Sequence, residues 1–246
     1  MSAAVPLARV RAALIGAGGR MGQALLRCDE SGIEFTAAVV SPGSALLGSA
    51  VPGTALAYRA DLPAALLQCD VAIDFSHATA TAETLRACRA QRRALLIGTT
   101  GFADALEAQF AAAAREIPLL VAANTSLGVA LLTELVQLAA AALPAQFRMS
   151  IQESHHAGKR DAPSGTALAL AHAAHRAADI ESVREGDIVG EHVVRFAGPG
   201  EELTLAHKAT DRSLFARGAL AAALWLSSRP PGRYSMRDVL AMKTVT

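Results

Sequence analysis

The stretch that decides the fold is VRAALIGAGGRMG, residues 10–22. Its first six residues are mostly apolar and predict a buried β-strand that ends at a glycine-rich turn. Gly16, Gly19 and Gly22 follow a G-x-x-G-x-x-G spacing, and Gly18 is a further glycine. A strand, such a turn and a following helix can bind a dinucleotide, because the backbone can approach a pyrophosphate at the helix N-terminus.

The turn departs from the strict G-x-G-x-x-G pattern, because Met21 occupies the position of its third glycine. Glycine-rich turns also serve close packing, so the turn alone leaves two interpretations open. The alternating pattern that follows favours the dinucleotide site. We therefore expect cofactor contacts from Gly16, Ala17, Gly18, Gly19, Arg20 and Met21.

Strand and helix patterns alternate beyond the turn. Predicted strands cover residues 35–40, 71–75, 94–97 and 117–122, and predicted helices cover residues 61–68, 78–90 and 103–115. Residues 41–54 are rich in Gly, Ser and Pro and predict a loop. This alternation is typical of an α/β fold with a Rossmann-like, doubly wound parallel sheet, whose ligands bind at the carboxyl ends of the strands.

Two further polar loops follow predicted strands, GTTG at residues 98–101 and AANTS at residues 122–126. We expect cofactor contacts from Gly98, Thr99, Thr100, Ala122, Ala123, Asn124 and Thr125. The role of His77 stays open between a cofactor contact and the first residue of a helix.

The second predicted strand ends in Val40 and Ser41, without the acidic residue that binds ribose hydroxyls in NAD-selective proteins. Arg20 could approach a 2′-phosphate instead. NADPH and NADH therefore both stay open as cofactors.

A second chemical region is ESHHAGKRDAPSGTA, residues 153–167. It contains Glu153, His155, His156, Lys159, Arg160 and Asp161. Residues 147–152 alternate apolar and polar side chains and predict a half-buried strand, which this stretch follows as a loop. A helix is predicted to begin near Gly165 or Thr166, capped by Asp161 or Ser164.

The free N–H groups of that helix start would bind a carboxylate or a phosphate. The histidines and Lys159 beside it can carry protons near neutral pH. The alternative is a solvated surface loop. No metal site is predicted, because neighbouring histidines point in different directions, and His172 and His175 fit an alanine-rich helix face.

The rest of the chain predicts a smaller α+β domain with a mixed sheet. It contains predicted helices at residues 127–143 and 166–178 and predicted strands at residues 187–196 and 202–208. A helix at residues 215–226 and a closing segment at residues 234–242 complete the chain. We assign residues 1–126 and 213–246 to the dinucleotide-binding domain, and residues 127–212 to substrate binding and oligomerisation.

Composition excludes several classes of protein. The 246 residues include 23 basic and 22 acidic side chains and only 4% aromatic residues, which argues against nucleic acid or a membrane surface as partner. The three cysteines are scattered in apolar contexts, which argues against a framework of disulfides. The apolar run before the glycine turn is too short for a signal peptide, and no run is long enough for a membrane span. We expect a soluble cytoplasmic protein.

Taken together, these motifs resemble the 4-hydroxy-tetrahydrodipicolinate reductase (dihydrodipicolinate reductase) family. The resemblance rests on GAGGRMG at residues 16–22, GTTGF at 98–102, AAN-x-S-x-G at 122–128, E-x-HH-x-x-K-x-DAPSGTA at 153–167, DIVGEH at 187–192, HKA at 207–209 and MRDVL at 236–240. It covers nearly the whole chain in order, and the motif at residues 153–167 is long and specific.

The resemblance implies an enzyme that reduces a cyclic imine dicarboxylate to tetrahydrodipicolinate with loss of water, on the diaminopimelate route to lysine, with NADPH or NADH. It implies that His155 is a proton donor or acceptor and Lys159 a second proton donor. His156, Gly165 and Thr166 take the substrate-binding positions. The family usually forms a homotetramer.

Two features differ from the family pattern. Some members carry an acid and a base where Val40 and Ser41 stand, and the connection before Asp187 is about twenty residues shorter than expected, as loops tolerate. Two other functions stay open: a dinucleotide sensor without catalysis on the same fold, and an amino-acid or semialdehyde dehydrogenase. The second would need a cysteine nucleophile or another acid–base pair.

Overall fold

The computed structural model describes residues 9–28, 32–103 and 105–241. Asp104 of the predicted helix 103–115, Met242 of the predicted closing segment and both ends of the predicted dinucleotide-binding domain lie outside the described residues. Among the described helices, none combines the length and the apolar character that crossing a membrane requires.

The chain divides into two compact units. The first contains the residues up to Thr125 and those from Phe215 onward, and the second is Ser126–Leu214. In chain order the elements are β1 (Val10–Ile15), α1 (Arg20–Arg27), β2 (Ile33–Val39), β3 (Tyr58–Arg59), α2 (Leu62–Leu67), β4 (Val71–Asp74), α3 (Ala78–Ala90), β5 (Ala94–Ile97), α4 (Ala105–Ala113), β6 (Pro118–Val121), α5 (Leu127–Ala142), β7 (Arg148–His155), α6 (Gly165–Ala174), β8 (Ala178–Arg184), β9 (Gly190–Gly198), β10 (Glu201–Ala209), α7 (Ser213–Leu226), β11 (Gly232–Tyr234) and α8 (Met236–Ala241).

The first unit is built on a parallel sheet of seven strands in the order β11-β6-β5-β4-β1-β2-β3. Its strands are short and apolar because both faces are covered. Ala13, Leu95 and Leu119 pack on one face with side chains of α2, α3 and α4, while Leu14 and Leu96 are equally buried at alternate positions. This confirms the predicted Rossmann-like sheet.

The register of this sheet brings three loops to one edge. Ile15 at the end of β1 pairs with Asp74 at the end of β4, and Asp74 pairs with Ile97 at the end of β5. Ile97 in turn pairs with Val121 at the end of β6. The glycine turn and the loops after β5 and β6 therefore leave the sheet side by side.

The second unit is a mixed sheet of four strands in the order β10-β9-β7-β8. Strand β8 runs parallel to β7, whereas β9 is antiparallel to both β7 and β10. Helices α5 and α6 cover one face, where Val136 and Leu170 pack against Ile151, Val194 and Phe196. This confirms the smaller mixed-sheet unit.

The prediction for the segment between the start of α6 and β9 was wrong in detail. The helix predicted at residues 166–178 ends at Ala174, because His175 turns into a left-handed conformation with φ 49°. Strand β8 then begins at Ala178 and was not predicted, and the next strand begins at Gly190 rather than Asp187. No Gly or Pro marks the end of the helix, so the alanine-rich pattern continues past it.

Three smaller differences concern short elements. Strands β3 and β11 were not predicted, since two or three residues carry no periodic pattern. Strand β7 extends to His155, so the first three residues of ESHHAGKRDAPSGTA belong to a strand and not to a loop.

Candidate active site

The glycine turn of the first unit is tightly packed at two of its positions. Gly16 has φ +80°, and a Cβ there would lie 2.4 Å from the carbonyl oxygen of Phe75. A Cβ on Gly22 would lie 2.3 Å from the carbonyl oxygen of Gly16. Packing therefore excludes other residues at these two positions. Gly18 and Gly19 between them are exposed.

The start of α1 offers backbone donors to a ligand. Gly19 is its N-cap residue and supplies no side-chain hydrogen bond to the first turn. Beside this turn lies a groove of about 450 Å³. It is lined by Ile15, Gly16, Gly18, Gly19, Val39, Val40, Ser41, Pro42, Ser44, Leu46, Ala60, Leu62, Phe75, Ser76, His77, Ala80, Glu83 and Thr84. A concave surface at a helix start between strand ends fits the phosphates and one nucleoside of a dinucleotide.

The other predicted residues of this turn do not line the groove. Ala17 is buried, Met21 is half-buried and Arg20 is exposed. His77 caps α3 by accepting a hydrogen bond from the Thr79 N–H, and it also lines the groove. The helix-start interpretation of His77 is therefore confirmed, and its contact with a cofactor stays a prediction.

The loops after β5 and β6 are held by specific contacts. A Cβ on Gly98 would lie 2.2 Å from the ring of Phe75, so the loop needs glycine there. The Thr99 hydroxyl donates to the backbone carbonyl of Asp74 over 3.3 Å, and the Thr125 hydroxyl donates to the carbonyl of Phe215 over 2.7 Å. Thr100 and Ala123 are exposed, and Ala122 is buried.

Asp74 is a buried carboxylate for which the sequence predicted no role. Its Oδ1 accepts a hydrogen bond from the Ser76 N–H at 2.8 Å, while Oδ2 has no hydrogen-bond partner among the described residues. Burial raises the pKa of this carboxyl. The sequence signal that could have pointed to Asp74 was an acidic residue at the end of the apolar strand VAID.

The second unit brings Glu153 and His155 together on β7. The two residues are one strand period apart and point to the same face of the sheet. His155 Nδ1 lies 2.5 Å from Glu153 Oε2. The carboxylate is fully buried, at 0% exposed, whereas the imidazole is half-buried. The short contact fixes the orientation of the imidazole ring.

The second oxygen of Glu153 has two other donors. Oε1 accepts from Arg184 Nη2 at 2.6 Å and from the Ser164 N–H at 3.1 Å. Burial alone would raise the pKa of Glu153, but hydrogen bonds from Arg184, Ser182, His155 and Ser164 outweigh it and lower the pKa to about 2. Glu153 is therefore ionised at neutral pH.

Lys159 is held by the loop that follows. Its Nζ lies 2.7 Å from both carboxylate oxygens of Asp161, and its backbone N–H donates to the carbonyl of His156 over 3.1 Å. Arg184 Nη2 also donates to the backbone carbonyl of Asp161 over 2.6 Å. Arg184 thus contacts both the buried carboxylate and the loop that carries Lys159.

Helix α6 begins as predicted at Gly165, and Ser164 rather than Asp161 is its cap. The Ser164 hydroxyl accepts from the Ala167 N–H at 3.2 Å and lies 3.3 Å from His192 Nε2. Gly165 is exposed and Thr166 half-exposed on the first turn. The structure therefore links Glu153, His155 and the cap of this helix by hydrogen bonds, and it leaves His156 half-buried in the preceding loop.

Burial lowers the basicity of two neighbouring histidines. It lowers the pKa of His155, assisted by the charges of Lys159 and Arg184 and opposed by Glu153. It lowers the pKa of His192 to about 4, with His155 as the next cause. The two imidazole rings lie 5.3 Å apart, edge to face.

Two residues of this site were missed as site residues. Arg184 lies on the unpredicted strand β8, and no local pattern in the sequence marked it. His192 lies in DIVGEH, residues 187–192, a motif that indicated the family resemblance but no role for this histidine. Among the described residues, no group of three or more His, Cys, Asp or Glu side chains could hold a metal ion.

Comparisons with known proteins cover nearly the whole chain. The model of the dihydrodipicolinate reductase N-terminus matches residues 10–125, and that of the C-terminus matches residues 128–240. Proteins named 4-hydroxy-tetrahydrodipicolinate reductase from Alkalilimnicola ehrlichii and Stenotrophomonas maltophilia are 43% and 47% identical to this chain. Each alignment covers 94% of this chain, and 99% and 98% of the two relatives respectively.

A solved structure has the same fold. It is the dipicolinate-bound dihydrodipicolinate reductase from Paenisporosarcina sp. TG-14, with a TM-score of 0.81 and 24% sequence identity. The match covers 93% of this chain and 98% of that one. The two family models and the identity to full-length relatives show that the chain belongs to the dihydrodipicolinate reductase family.

Proposed function

We propose that this protein reduces 4-hydroxy-tetrahydrodipicolinate to tetrahydrodipicolinate, with loss of water and oxidation of a reduced nicotinamide cofactor, in lysine and diaminopimelate biosynthesis. The observation that carries the proposal is the 43% and 47% identity, over nearly the full length, to two reductases of that name, combined with His155, Lys159 and the start of α6 in one motif. One reduced cofactor and one proton enter, and the oxidised cofactor and one water leave.

The cofactor belongs to the first unit in this proposal. Glycines at the turn, an uncapped start of α1 and the groove beside it fit a dinucleotide. The residues proposed to hold it are Gly16 to Met21, Gly98 to Thr100 and Ala122 to Thr125. When bound, a reduced nicotinamide supplies the hydride, and the protein supplies binding and orientation.

The proton carriers belong to the second unit. His155 is oriented by Glu153 and has a lowered pKa, so a neutral ring with its proton on Nδ1 keeps Nε2 free to exchange a proton. Lys159 is a second donor, and its ammonium can also attract an anion. His156 and the N–H groups of Gly165 and Thr166 are proposed to bind a substrate carboxylate.

The groove gives little reason to choose between NADH and NADPH. Among the residues that line it, no acid stands at the end of β2 to repel a 2′-phosphate, and no Lys or Arg is present to attract one. Ser41 and Ser44 can form hydrogen bonds to either ribose. Glu83 is the charged side chain of the lining, and it lies on α3. We therefore propose that the enzyme uses both cofactors.

The second unit is proposed to form the contacts of a homotetramer as well as to bind substrate. One face of its sheet is covered by α5 and α6, whereas Ser150, Gln152 and Val193 on the opposite face are half-exposed. Light scattering coupled to gel filtration would give the mass of the assembly. A mass of one chain would exclude the tetramer.

The function is tested by cofactor oxidation with the cyclic imine made in situ from pyruvate and aspartate semialdehyde. We expect loss of the reduced cofactor's absorbance only when both precursors are present. A dinucleotide sensor would bind cofactor without turnover. A semialdehyde dehydrogenase would instead reduce the oxidised cofactor when given aspartate semialdehyde alone, and either result would overturn the proposal.

A further inference from the structure

Glu153 divides its two carboxylate oxygens between different parts of the second unit. Oε2 contacts the imidazole of His155, and Oε1 contacts Arg184 and the backbone N–H of Ser164. Ser164 is the residue that caps α6. One buried carboxylate therefore touches both the proposed proton carrier and the residue that begins the proposed anion-binding helix.

Arg184 makes a second connection from the neighbouring strand. It lies beside His155 in the parallel register of β7 and β8, and its Nη2 bonds both Glu153 Oε1 and the carbonyl of Asp161 at 2.6 Å. Asp161 is the ion-pair partner of Lys159. The guanidinium thus holds the loop of the second proposed proton carrier against the carboxylate that orients the first.

Backbone hydrogen bonds between β7, β8 and the residues that follow them also hold His155 in place. The Glu185 N–H donates to the carbonyl of His155 over 2.9 Å, and the Ala157 N–H donates to the carbonyl of Gly186 over 3.1 Å. A Cβ on Gly190 of β9 would lie 3.1 Å from His155 Nε2, so glycine leaves room for the ring. The backbone of His155 is therefore held by the segment that follows β8, and its ring lies against Gly190 of β9.

We infer that Glu153 and Arg184 are a positioning pair, which fixes the tautomer and orientation of His155 and ties it to the Lys159 loop and to the start of α6. The inference rests on the proposed function, since His155 and Lys159 are the proton carriers of that function. Neither Glu153 nor Arg184 is assigned any contact with substrate or cofactor.

The geometry sets the proton on one nitrogen of His155. An ionised carboxylate at Nδ1 accepts a hydrogen bond, so the neutral ring carries its proton on Nδ1 and leaves the Nε2 lone pair free. In Glu153→Gln the amide oxygen faces the two donors from Arg184 and Ser164, and the amide NH₂ then faces Nδ1. That exchange would move the ring proton to Nε2.

The direct test is the tautomer of His155 in ligand-free protein, measured from imidazole ¹⁵N shifts at pH 8. In the wild type we expect the Nδ1–H form, and in Glu153→Gln the Nε2–H form. The control is Glu116→Gln, which breaks a half-buried carboxylate–arginine pair in the first unit and leaves the His155 signals unchanged. An Nε2–H tautomer in the wild type, or an unchanged tautomer in Glu153→Gln, overturns the inference.

The second readout is the direction in which each variant moves the titration of His155. Charged or titratable groups around this imidazole are Glu153 on β7, Arg184 on β8, Lys159 in the loop and His192 on β9. Glu153→Gln removes a group that raises the pKa of His155, so that pKa falls. Arg184→Met removes a group that lowers it, so that pKa rises.

Opposite shifts in the pKa of His155 distinguish positioning from a general loss of structure. A loss of structure would shift the pKa of His155 in the same direction in both variants. Arg89→Met, which breaks the half-buried pair with Glu116, is the matched control for Arg184→Met and leaves the titration of His155 in place. Shifts of the same sign, or none, overturn the inference. If Glu153→Gln does not fold, the wild-type tautomer and the Arg184→Met titration still decide it.

Turnover gives a third measurement that also separates the inference from the function. Glu153→Gln should lower kcat by about 10²-fold or more, the size of a positioned proton carrier's contribution, with a smaller change in KM. Unchanged kcat with the altered tautomer would overturn the catalytic part of the inference. If the wild type does not reduce the imine at all, the proposed function fails while the tautomer measurement still stands.

Discussion

The two units present their chemistry in different ways. At the glycine turn of the first unit, the proposed cofactor contacts come from the backbone of residues 16–21, which are close neighbours in the sequence. In the second unit, side chains from β7, β8, β9 and the loop before α6 meet around one buried carboxylate. A backbone site depends on the steric fit of the turn, whereas a side-chain site depends on the charge and the protonation state of its side chains. Substitutions should therefore fail in different ways in the two units.

The largest effect is expected from the proton carriers of the second unit. His155→Gln and Lys159→Met should each lower kcat by roughly 10²- to 10⁴-fold, the range for a positioned general acid or base. Cofactor affinity should stay within about twofold, since both residues belong to the unit that is not proposed to bind it. Stopped-flow turnover and fluorescence titration of the cofactor measure the two quantities.

His172→Gln is the matched control, because His172 is an exposed histidine of α6 outside the proposed site. It should leave kcat unchanged. Near-normal turnover in either His155→Gln or Lys159→Met would contradict their roles.

The opposite pattern is expected for the backbone site. Gly16→Ala places a Cβ 2.4 Å from the Phe75 carbonyl oxygen at a positive φ, so the turn must shift or the unit must unfold. We expect a lower midpoint of thermal unfolding and at least about tenfold weaker cofactor binding. Differential scanning fluorimetry with and without cofactor measures both.

Gly43→Ala provides the comparison, since a Cβ added at Gly43 would have no heavy atom within 4 Å and the φ of this residue is not in the left-handed region. This variant should keep the wild-type midpoint. If Gly16→Ala also kept the wild-type midpoint and affinity, the steric account of the turn would be wrong.

Acid should weaken the second unit more than the first. His192 has a pKa lowered to about 4 when folded, so the unfolded chain takes up a proton first as pH falls below about 6.5. Its contribution to stability is therefore complete above pH 6.5 and is lost as pH falls towards 4, by about 3 kcal/mol at most. Glu153, with a pKa of about 2, loses its contribution only below its ordinary value near 4.5.

Urea unfolding followed by circular dichroism at about pH 7.5, 5.5 and 4.5 measures this loss of stability, because these values span the interval between the unfolded and folded pKa of His192. His192→Gln should flatten the decline between pH 6.5 and 4, whatever its effect on stability at neutral pH. An unchanged slope in that variant would show that His192 is not the group responsible.

The smallest effect is expected for the choice of cofactor. With neither an acid nor a cation from β2 in the groove, NADH and NADPH should differ in Kd by less than about tenfold, or ~1.4 kcal/mol. Val40→Asp should favour NADH, and Ser41→Arg should favour NADPH. Isothermal titration of both cofactors with the three proteins gives the ratios, and a strong wild-type preference would show that another residue selects.

The same contrast explains what could be predicted from the sequence. The turn at residues 10–22 and the strand-end loops follow from local periodicity and glycine spacing, and the parallel sheet follows from their alternation. In the second unit, ESHHAGKRDAPSGTA predicted the start of α6, and it carries the proposed proton carriers His155 and Lys159, because these residues are neighbours in the sequence.

What could not be predicted depends on residues distant in sequence. Arg184 reaches Glu153 from 31 positions away, and it does so only because β8 pairs with β7 in parallel. The seven residues of β8 follow an alanine-rich helix without a Gly or Pro boundary, so the strand was hidden. The partners that orient a proton carrier are set by strand register, which no single local pattern contains.

The measurement that tests the central claim most directly is deuterium transfer from cofactor labelled at both C4 positions of the nicotinamide. Mass spectrometry of the tetrahydrodipicolinate formed by the wild-type protein should show one deuterium per molecule, with the accompanying proton drawn from solvent. Product without deuterium, or cofactor oxidation without tetrahydrodipicolinate, would contradict the assignment of this chain as its reductase.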